Sequence, residues 1–231
     1  MVNVNIYHLI EGARKAKGLT VIIDVFRAFS LECYLYAMGA KVVRPVETVA
    51  DAFRLRDMIP HSLIAGERGG RKCEGFDFGN SPSLLDAVKI NGKEVIHTTS
   101  AGTQGVANAV NASEIVTGSL VNAAAVAEYV KRCKIDEVSL VGMGKGGKEV
   151  AKEDELCAEY IKSLILGYPL PDIRERIAGL RNDGGSHFFD ADNQEDFPMA
   201  DFDLCADYNR FNFVLKVGRG ELGYITEKIN M

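Results

Sequence analysis

One local pattern recurs five times along this chain. A short apolar run, rich in β-branched residues, ends in a polar or glycine-rich turn that opens a helix. The five turns are Asp24-Val-Phe-Arg27, Gly66-Glu-Arg-Gly-Gly70, Thr98-Thr-Ser-Ala-Gly-Thr103, Gly118-Ser-Leu-Val-Asn122 and Gly142-Met-Gly-Lys-Gly-Gly147. Strands that alternate with helices are joined by crossovers, which make the strands parallel and cover both faces of the sheet. The expected fold class is therefore α/β: a three-layer αβα arrangement around a mainly parallel, partly mixed sheet. In open sheets of this kind, ligands lie outside the carboxyl ends of the strands. The five turns are expected to meet at one edge. They bring carboxylates, arginines, hydroxyls and bare backbone amides, a set that suits a phosphorylated ligand held with a divalent cation.

The individual elements follow from period and punctuation. Residues 19–26 (LTVIIDVF) are almost continuously apolar, as in a strand covered on both faces. Phe29, Cys33, Tyr36 and Ala37 then recur at helical spacing, with Gly39 as a stop. Thr48 is placed to cap the next helix, and Pro82 to open a short one. After Pro169-Leu-Pro171 the pattern changes: a short helix, then the Gly/Asp-rich DGGSHFFDADNQEDFP, then two late strands, FNFVLKVG and GYITEKI, read as an antiparallel pair. Residues 1–231 are expected to form a single domain, with 170–231 as a candidate small subregion.

The chain has 231 residues, long enough to bury a large core without covalent staples. A formal net charge of −5 argues against a nucleic-acid partner. No run approaches the ~20 apolar residues of a membrane span, and MVNVNIYHLIEG lacks the features of a signal peptide. Five cysteines without CxxC spacing indicate neither a disulfide framework nor a zinc site. A cytoplasmic protein with reduced thiols is expected, and a homo-oligomer is compatible with the sequence.

Each turn has a functional and a structural reading. Asp24, at a strand end, suits an Mg²⁺ ligand, an aspartyl nucleophile or a helix cap. The nucleophile of haloacid-dehalogenase phosphatases is followed two residues on by a second Asp; here that residue is Phe26, which favours the metal ligand. Glu67 could complete a hard oxygen site, and Arg68 offers a fork for phosphate or sulfonate oxygens or a surface ion pair. Thr98, Thr99, Ser100 and Thr103 suit anion binding at a helix start, or capping. Ser119 and Asn122 repeat that device more weakly. Glu153 and Asp154 open another helix, as a third metal carboxylate, a general base or favourable charge at a helix start. The Gly142–Gly147 turn lacks the Ser or Thr of a Walker loop and the acid of a dinucleotide site. Cys205 to Arg210 is one residue too short for a cysteine-phosphatase loop. His97 is the histidine placed to test for acid–base work.

Seven segments in order, VIIDVFRA, GERGG, GFDFGNSPS, TTSAGTQG, GSLVNAAAVA, KEDELCAEY and DFDLCADYNRF, resemble the 2-phosphosulfolactate phosphatase family along nearly the whole chain. The resemblance implies an Mg²⁺-dependent phosphatase that converts 2-phospho-3-sulfolactate and water to 3-sulfolactate and phosphate, a step of coenzyme M biosynthesis. It marks Asp24, Arg27, Glu67, Arg68, Asn80, Ser81, Thr99, Gly102, Thr103, Ser119, Asn122, Glu153 and Asp154. Many relatives read TTNGT where this chain has Ser100-Ala101 in a longer turn. The resulting scheme has Asp24 and Glu67, with Asp154 or Glu153, holding Mg²⁺. Arg27 and Arg68 offset charge, while Asn80-Ser81 and the Thr99–Thr103 turn, with Ser100 and Gly102, bind the anionic groups of a small phosphorylated substrate. The rivals are a sugar-phosphate or nucleotide transferase and a non-catalytic anion-binding module.

Overall fold

Before the first anticipated unit, the chain lays down an edge strand, β1 (Asn3–His8), and a short helix, α1 (Leu9–Lys15). The computed structural model describes residues 2–168 and 170–231. Met1, and Pro169 of the Pro169-Leu-Pro171 break, lie outside the described residues. The succession continues with β2 (Gly18–Ile23), α2 (Ala28–Ala37), β3 (Val42–Pro45), α3 (Val49–Met58), β4 (Leu63–Arg68), the two-residue β5 (Arg71–Lys72) and α4 (Ala87–Ile90). Then come β6 (Glu94–Thr98), α5 (Gly102–Asn108), β7 (Ala112–Gly118), α6 (Ala123–Cys133), β8 (Glu137–Gly142) and α7 (Lys152–Leu166). The chain closes with α8 (Ile173–Gly179), α9 (Met199–Ala206), β9 (Phe213–Gly220) and β10 (Gly223–Asn230).

Local chemistry sets the boundaries. The Thr48 hydroxyl accepts the Asp51 amide at 3.0 Å and caps α3. Pro82 opens a single 3₁₀ turn, Pro82–Leu84. The α-helix expected to continue from it restarts instead at Ala87, because Asp86 captures the amides of Val88 and Lys89. On β2, Val21 and Ile23 pack with α6 and α7, while Ile22 packs with Val106 of α5 and Phe29 of α2. A strand apolar on both faces thus separates two helical layers.

The sheet order is β1-β8-β2-β7-β9-β10-β3-β6-β4-β5. It contains two parallel groups, β1-β8-β2-β7 and β3-β6-β4. The β9–β10 hairpin lies between them, antiparallel to both. The late strands are antiparallel, as the sequence suggested, and they occupy the middle of the sheet.

This arrangement corrects the simple reason given for the turns meeting. Three antiparallel steps separate β7 from β3, so the two groups run in opposite senses through the sheet. Each step between neighbours also rotates strand direction by roughly 20–25°. Five such steps separate β2 from β6, a total on the order of 100–125°. Residues at the carboxyl ends of both groups nonetheless line one crevice, and a twist of this size contributes part of the turn that brings them together.

Candidate active site

A cavity of about 360 Å³ lies at these converging ends. From β2 it receives Asp24, Phe26 and Arg27; from β4, Glu67 and the Gly69-Gly70 turn. Ser100 and Ala101 follow β6, and Gly144 to Gly146 follow β8. Glu153 and Asp154 come from the first turn of α7. Four of the five turns therefore contribute. The fifth does not: Ser119 and Asn122 are fully buried and form a reciprocal cap, the Asn122 side chain accepting the Ser119 amide at 3.0 Å.

The four carboxylates are not equivalent. Each Asp154 oxygen accepts one backbone amide: Oδ1 from Val25 N–H and Oδ2 from Gly144 N–H, both at 2.8 Å. It ties the β2 turn to the β8 turn. Glu67 takes Ser100 N–H through Oε1 and Gly70 N–H through Oε2, each at 2.6 Å, and ties the β4 turn to the β6 turn. Asp24 Oδ1 accepts Ala28 N–H at 3.1 Å, so the capping role is real, while Oδ2 makes no hydrogen bond to a described residue. Glu153 Oε2 is buried with no hydrogen-bond partner among the described residues. Gly102 lets α5 begin close to Asp24, since a Cβ there would stand 2.9 Å from Oδ2.

Burial and crowding make Asp24, Glu153 and Asp154 harder to ionise. Burial, and then the neighbouring Glu67 and Glu153, raise the Asp24 pKa to about 7, against the Ala28 hydrogen bond, which lowers it. Asp154 is pushed well above the carboxylate range by burial, Asp24 and Glu153. Glu153 is raised by burial, although Lys145 offsets part of the effect. The set therefore demands a proton or a cation.

Among the described residues, no group of three or more His, Cys, Asp or Glu side chains is arranged as a ready metal cluster. Of the expected set of Asp24, Glu67, Glu153 and Asp154, Glu67 and Asp154 accept a backbone amide on each oxygen and keep further lone pairs. Asp24 Oδ2 and Glu153 Oε2 accept no hydrogen bond from a described residue. Mg²⁺ commonly takes one or two carboxylates and completes its shell with water and substrate oxygens, so this pair fits the ion.

Other expected residues fall in two places. Asn80 and Ser100 line the cavity. Ser81 instead donates to Asp201 Oδ1 at 2.9 Å. Thr99 and Thr103 cap each other, Thr103 N–H donating to the Thr99 hydroxyl and Thr99 N–H to the Thr103 hydroxyl. Arg68 is outside the cavity lining, with its guanidinium on the Thr98 hydroxyl at 2.8 Å and the Glu47 carbonyl at 3.1 Å. Arg27 is buried against Asp201 at 2.7 Å and lies 4.7 Å from the Phe197 ring centre. Lys145, His187 and Phe197 line the cavity without having been singled out as site residues. The Lys145 signal was its Gly-Lys-Gly-Gly turn after a strand. His187 lies in a segment whose turns have no period, and burial, Lys145 and Arg27 hold its pKa down at about 4.

Fold and site together define an α/β protein with an acid-lined crevice at converging strand ends, fitted to a small ligand. The profile described as 2-phosphosulpholactate phosphatase matches residues 4–219, and the chain belongs to that family. It is 31% identical over 202 residues to a Bacillus subtilis protein named "Probable 2-phosphosulfolactate phosphatase", covering 86% of each chain. Proteins of the same name from Caldicellulosiruptor saccharolyticus and Carboxydothermus hydrogenoformans are each 39% identical, over 150 and 145 residues. Those two matches cover 63% of this chain, and 62% and 59% of the relatives, less than two thirds of their length.

Proposed function

We propose that the crevice hydrolyses the phosphate monoester of a small anionic hydroxy acid, converting 2-phospho-3-sulfolactate and water to 3-sulfolactate and phosphate, with Mg²⁺ as cofactor. The observation that carries this reading is the pair of carboxylate oxygens left without protein partners, Asp24 Oδ2 and Glu153 Oε2, beside two further buried acids. Family membership supports the substrate class. The reading places the reaction in the cytoplasm, where its five free thiols stay reduced.

Phosphate monoesters are among the most inert biological esters, with accelerations up to ~10²¹-fold. Catalysis is therefore shared. Asp24 and Glu153 would hold Mg²⁺, which when bound neutralises phosphoryl oxygens and polarises the ester. Asp154 and Glu67 hold the four turns in register through backbone amides, so the open oxygens keep their places as charge moves. Lys145 brings a cation beside Glu153, and Gly144 (φ 66°) lets its turn pack on Glu149, whose carbonyl oxygen a Cβ there would meet at 2.0 Å. Arg27 and Phe197 close the opposite side, where exclusion of water strengthens each charged contact.

The test is a phosphate-release screen over small phosphorylated acids, with and without Mg²⁺. Release from 2-phospho-3-sulfolactate that depends on Mg²⁺ is expected. No release from any phosphorylated acid overturns the phosphatase reading, and undiminished release after exhaustive chelation removes Mg²⁺ from it.

A further inference from the structure

The proposed substrate carries phosphate, carboxylate and sulfonate into a crevice already lined by Asp24, Glu67, Glu153 and Asp154. Most polar groups expected to receive these anions are engaged elsewhere. Ser100 gives its amide and its hydroxyl to Glu67, at 2.6 and 3.1 Å. Arg68 and the fully buried His97 lie outside the lining, His97 standing 2.8 Å from Glu32. Two cationic side chains line the cavity, Arg27 and Lys145. Arg27 donates to Asp201 and to the Asp196 and Gly70 carbonyls. The Lys145 ammonium makes no hydrogen bond and no ion pair among the described residues, although it lines the same space.

The backbone beneath Lys145 is fixed. Gly144 N–H donates to Asp154 Oδ2 at 2.8 Å and Lys145 N–H to the Glu149 carbonyl at 2.8 Å. Lys148 N–H returns to the Lys145 carbonyl at 3.0 Å. The turn therefore holds its place beside the acids, while the exposed side chain keeps the reach of its flexible four-carbon stem. Its charge acts on both Glu153 and His187, which line the same cavity.

The three anionic groups of the substrate differ in what can hold them. Phosphate and carboxylate sit on the same carbon, and their oxygens suit a hard cation such as Mg²⁺. A sulfonate stays ionised at any pH a protein survives, but its oxygens are weak bases and poor metal ligands. Placed one carbon further on, among acids, it needs a cation from the protein. We propose that Lys145 is a specificity-determining residue whose ammonium group binds the sulfonate of the substrate. This rests on the reading that the crevice hydrolyses a phosphorylated sulfo acid. A compact charge with three rotatable donors matches a group with three equivalent oxygens.

Two esters isolate the contact: 2-phospho-3-sulfolactate, and 2-phospholactate, which has hydrogen in place of the sulfonate. The unmodified protein is expected to prefer the sulfonated ester in kcat/KM. Lys145→Met keeps the length of the side chain and removes its charge. The ratio of kcat/KM between the two esters is expected to fall about tenfold in this variant, mainly through KM, and Lys145→Arg to restore most of it. A cation that only offset Glu153 would slow both esters equally. An unchanged ratio in Lys145→Met, or no preference in the unmodified protein, overturns the proposal. Calorimetric titration of the whole protein with 3-sulfolactate and with lactate, in the presence of Mg²⁺, reads the same contact without turnover. Lys145→Met should weaken 3-sulfolactate about tenfold relative to lactate. Equal weakening, or 3-sulfolactate bound no more tightly than lactate by the unmodified protein, overturns the proposal. Absence of phosphate release from either ester would overturn the phosphatase reading alone, since the titration still decides the role of Lys145.

Discussion

Arg27 and Asp201 pair at 2.7 Å with both side chains buried, joining the start of α2 to α9. The same guanidinium donates to the Asp196 carbonyl at 2.8 Å and the Gly70 carbonyl at 3.1 Å. Asp201 also accepts from the Ser81 hydroxyl and the Ser83 amide, both at 2.9 Å. The pair thus holds the C-terminal segment, the β4 turn and the Ser81 loop around one wall of the cavity. Asp201→Ala leaves the guanidinium without its counterion and should cost about 3–5 kcal/mol, read from the urea midpoint. A loss under about 1 kcal/mol would show that water reaches the pair.

Asp24→Asn keeps the shape and the Oδ1 acceptor for Ala28 while removing the charge. Its kcat/KM should fall at least about a thousandfold, equivalent to several kcal/mol of lost stabilisation of the reacting charge. The circular-dichroism spectrum should be unchanged. Near-normal turnover would sink the assignment of this carboxylate to the metal.

The same residue sets a pH dependence. Its folded-state pKa, about 7, lies above the ordinary 3.8, so between these values the folded state binds more protons than the unfolded state. Without metal, stability should fall as pH rises from about 4 to 7, by on the order of 4 kcal/mol from this group. Asp154 and Glu153 are raised as well and act with the same sign. Urea titrations at pH 5 and 7.5 in a chelator would measure the slope. Asp24→Asn should flatten it, and added Mg²⁺ should restore stability at pH 7.5.

Gly184 packs directly against Glu153 Oε2, and a methyl group there would overlap that oxygen. The atom in the way is the end of a flexible side chain, so Gly184→Ala should fold and push the carboxylate aside. The Mg²⁺ concentration that gives half-maximal activity should rise about tenfold, with the melting temperature nearly unchanged. An unaltered Mg²⁺ dependence would exclude Glu153 from the metal site.

Arg68→Ala separates an expectation from its outcome. The sequence assigned Arg68 to the anion, whereas the fold directs it to Thr98 and Glu47. KM should change by less than about twofold, and stability should fall by about 1 kcal/mol for the lost hydrogen bonds. A large rise in KM with unchanged stability would return Arg68 to the substrate.

The readable parts of the site were those whose backbone context is local. Asp24, Glu67, Glu153 and Asp154 each follow a strand or open a helix, and all four line the cavity. Three residues line it unannounced. Lys145 sits in a turn read only for nucleotide motifs. His187 and Phe197 belong to an aperiodic segment, brought to the site through Arg27, Asp196 and Asp201. β1 was also missed: it is an edge strand, and only Val4 of its residues is buried, so its pattern is weak. The capping pairs Thr99–Thr103 and Ser119–Asn122 show the converse. Their composition suits an anion site, but their side chains close on one another.

The sequence by itself determined the α/β class, the alternation of strands and helices from β2 to α7, and the acidic turns, because periodicity, capping and chain punctuation act within a few residues. Only the tertiary structure decided that the last hairpin would separate two opposed parallel groups, and that residues from the carboxyl ends of both would line one crevice. It also decided which carboxylate oxygens stay open. Asp154 and Glu67 each accept one amide from far along the chain, Val25 and Ser100, whereas Asp24 Oδ2 and Glu153 Oε2 accept none from a described residue. Hydrogen bonds between distant segments depend on where the folded backbone places each donor, and no local pattern encodes that.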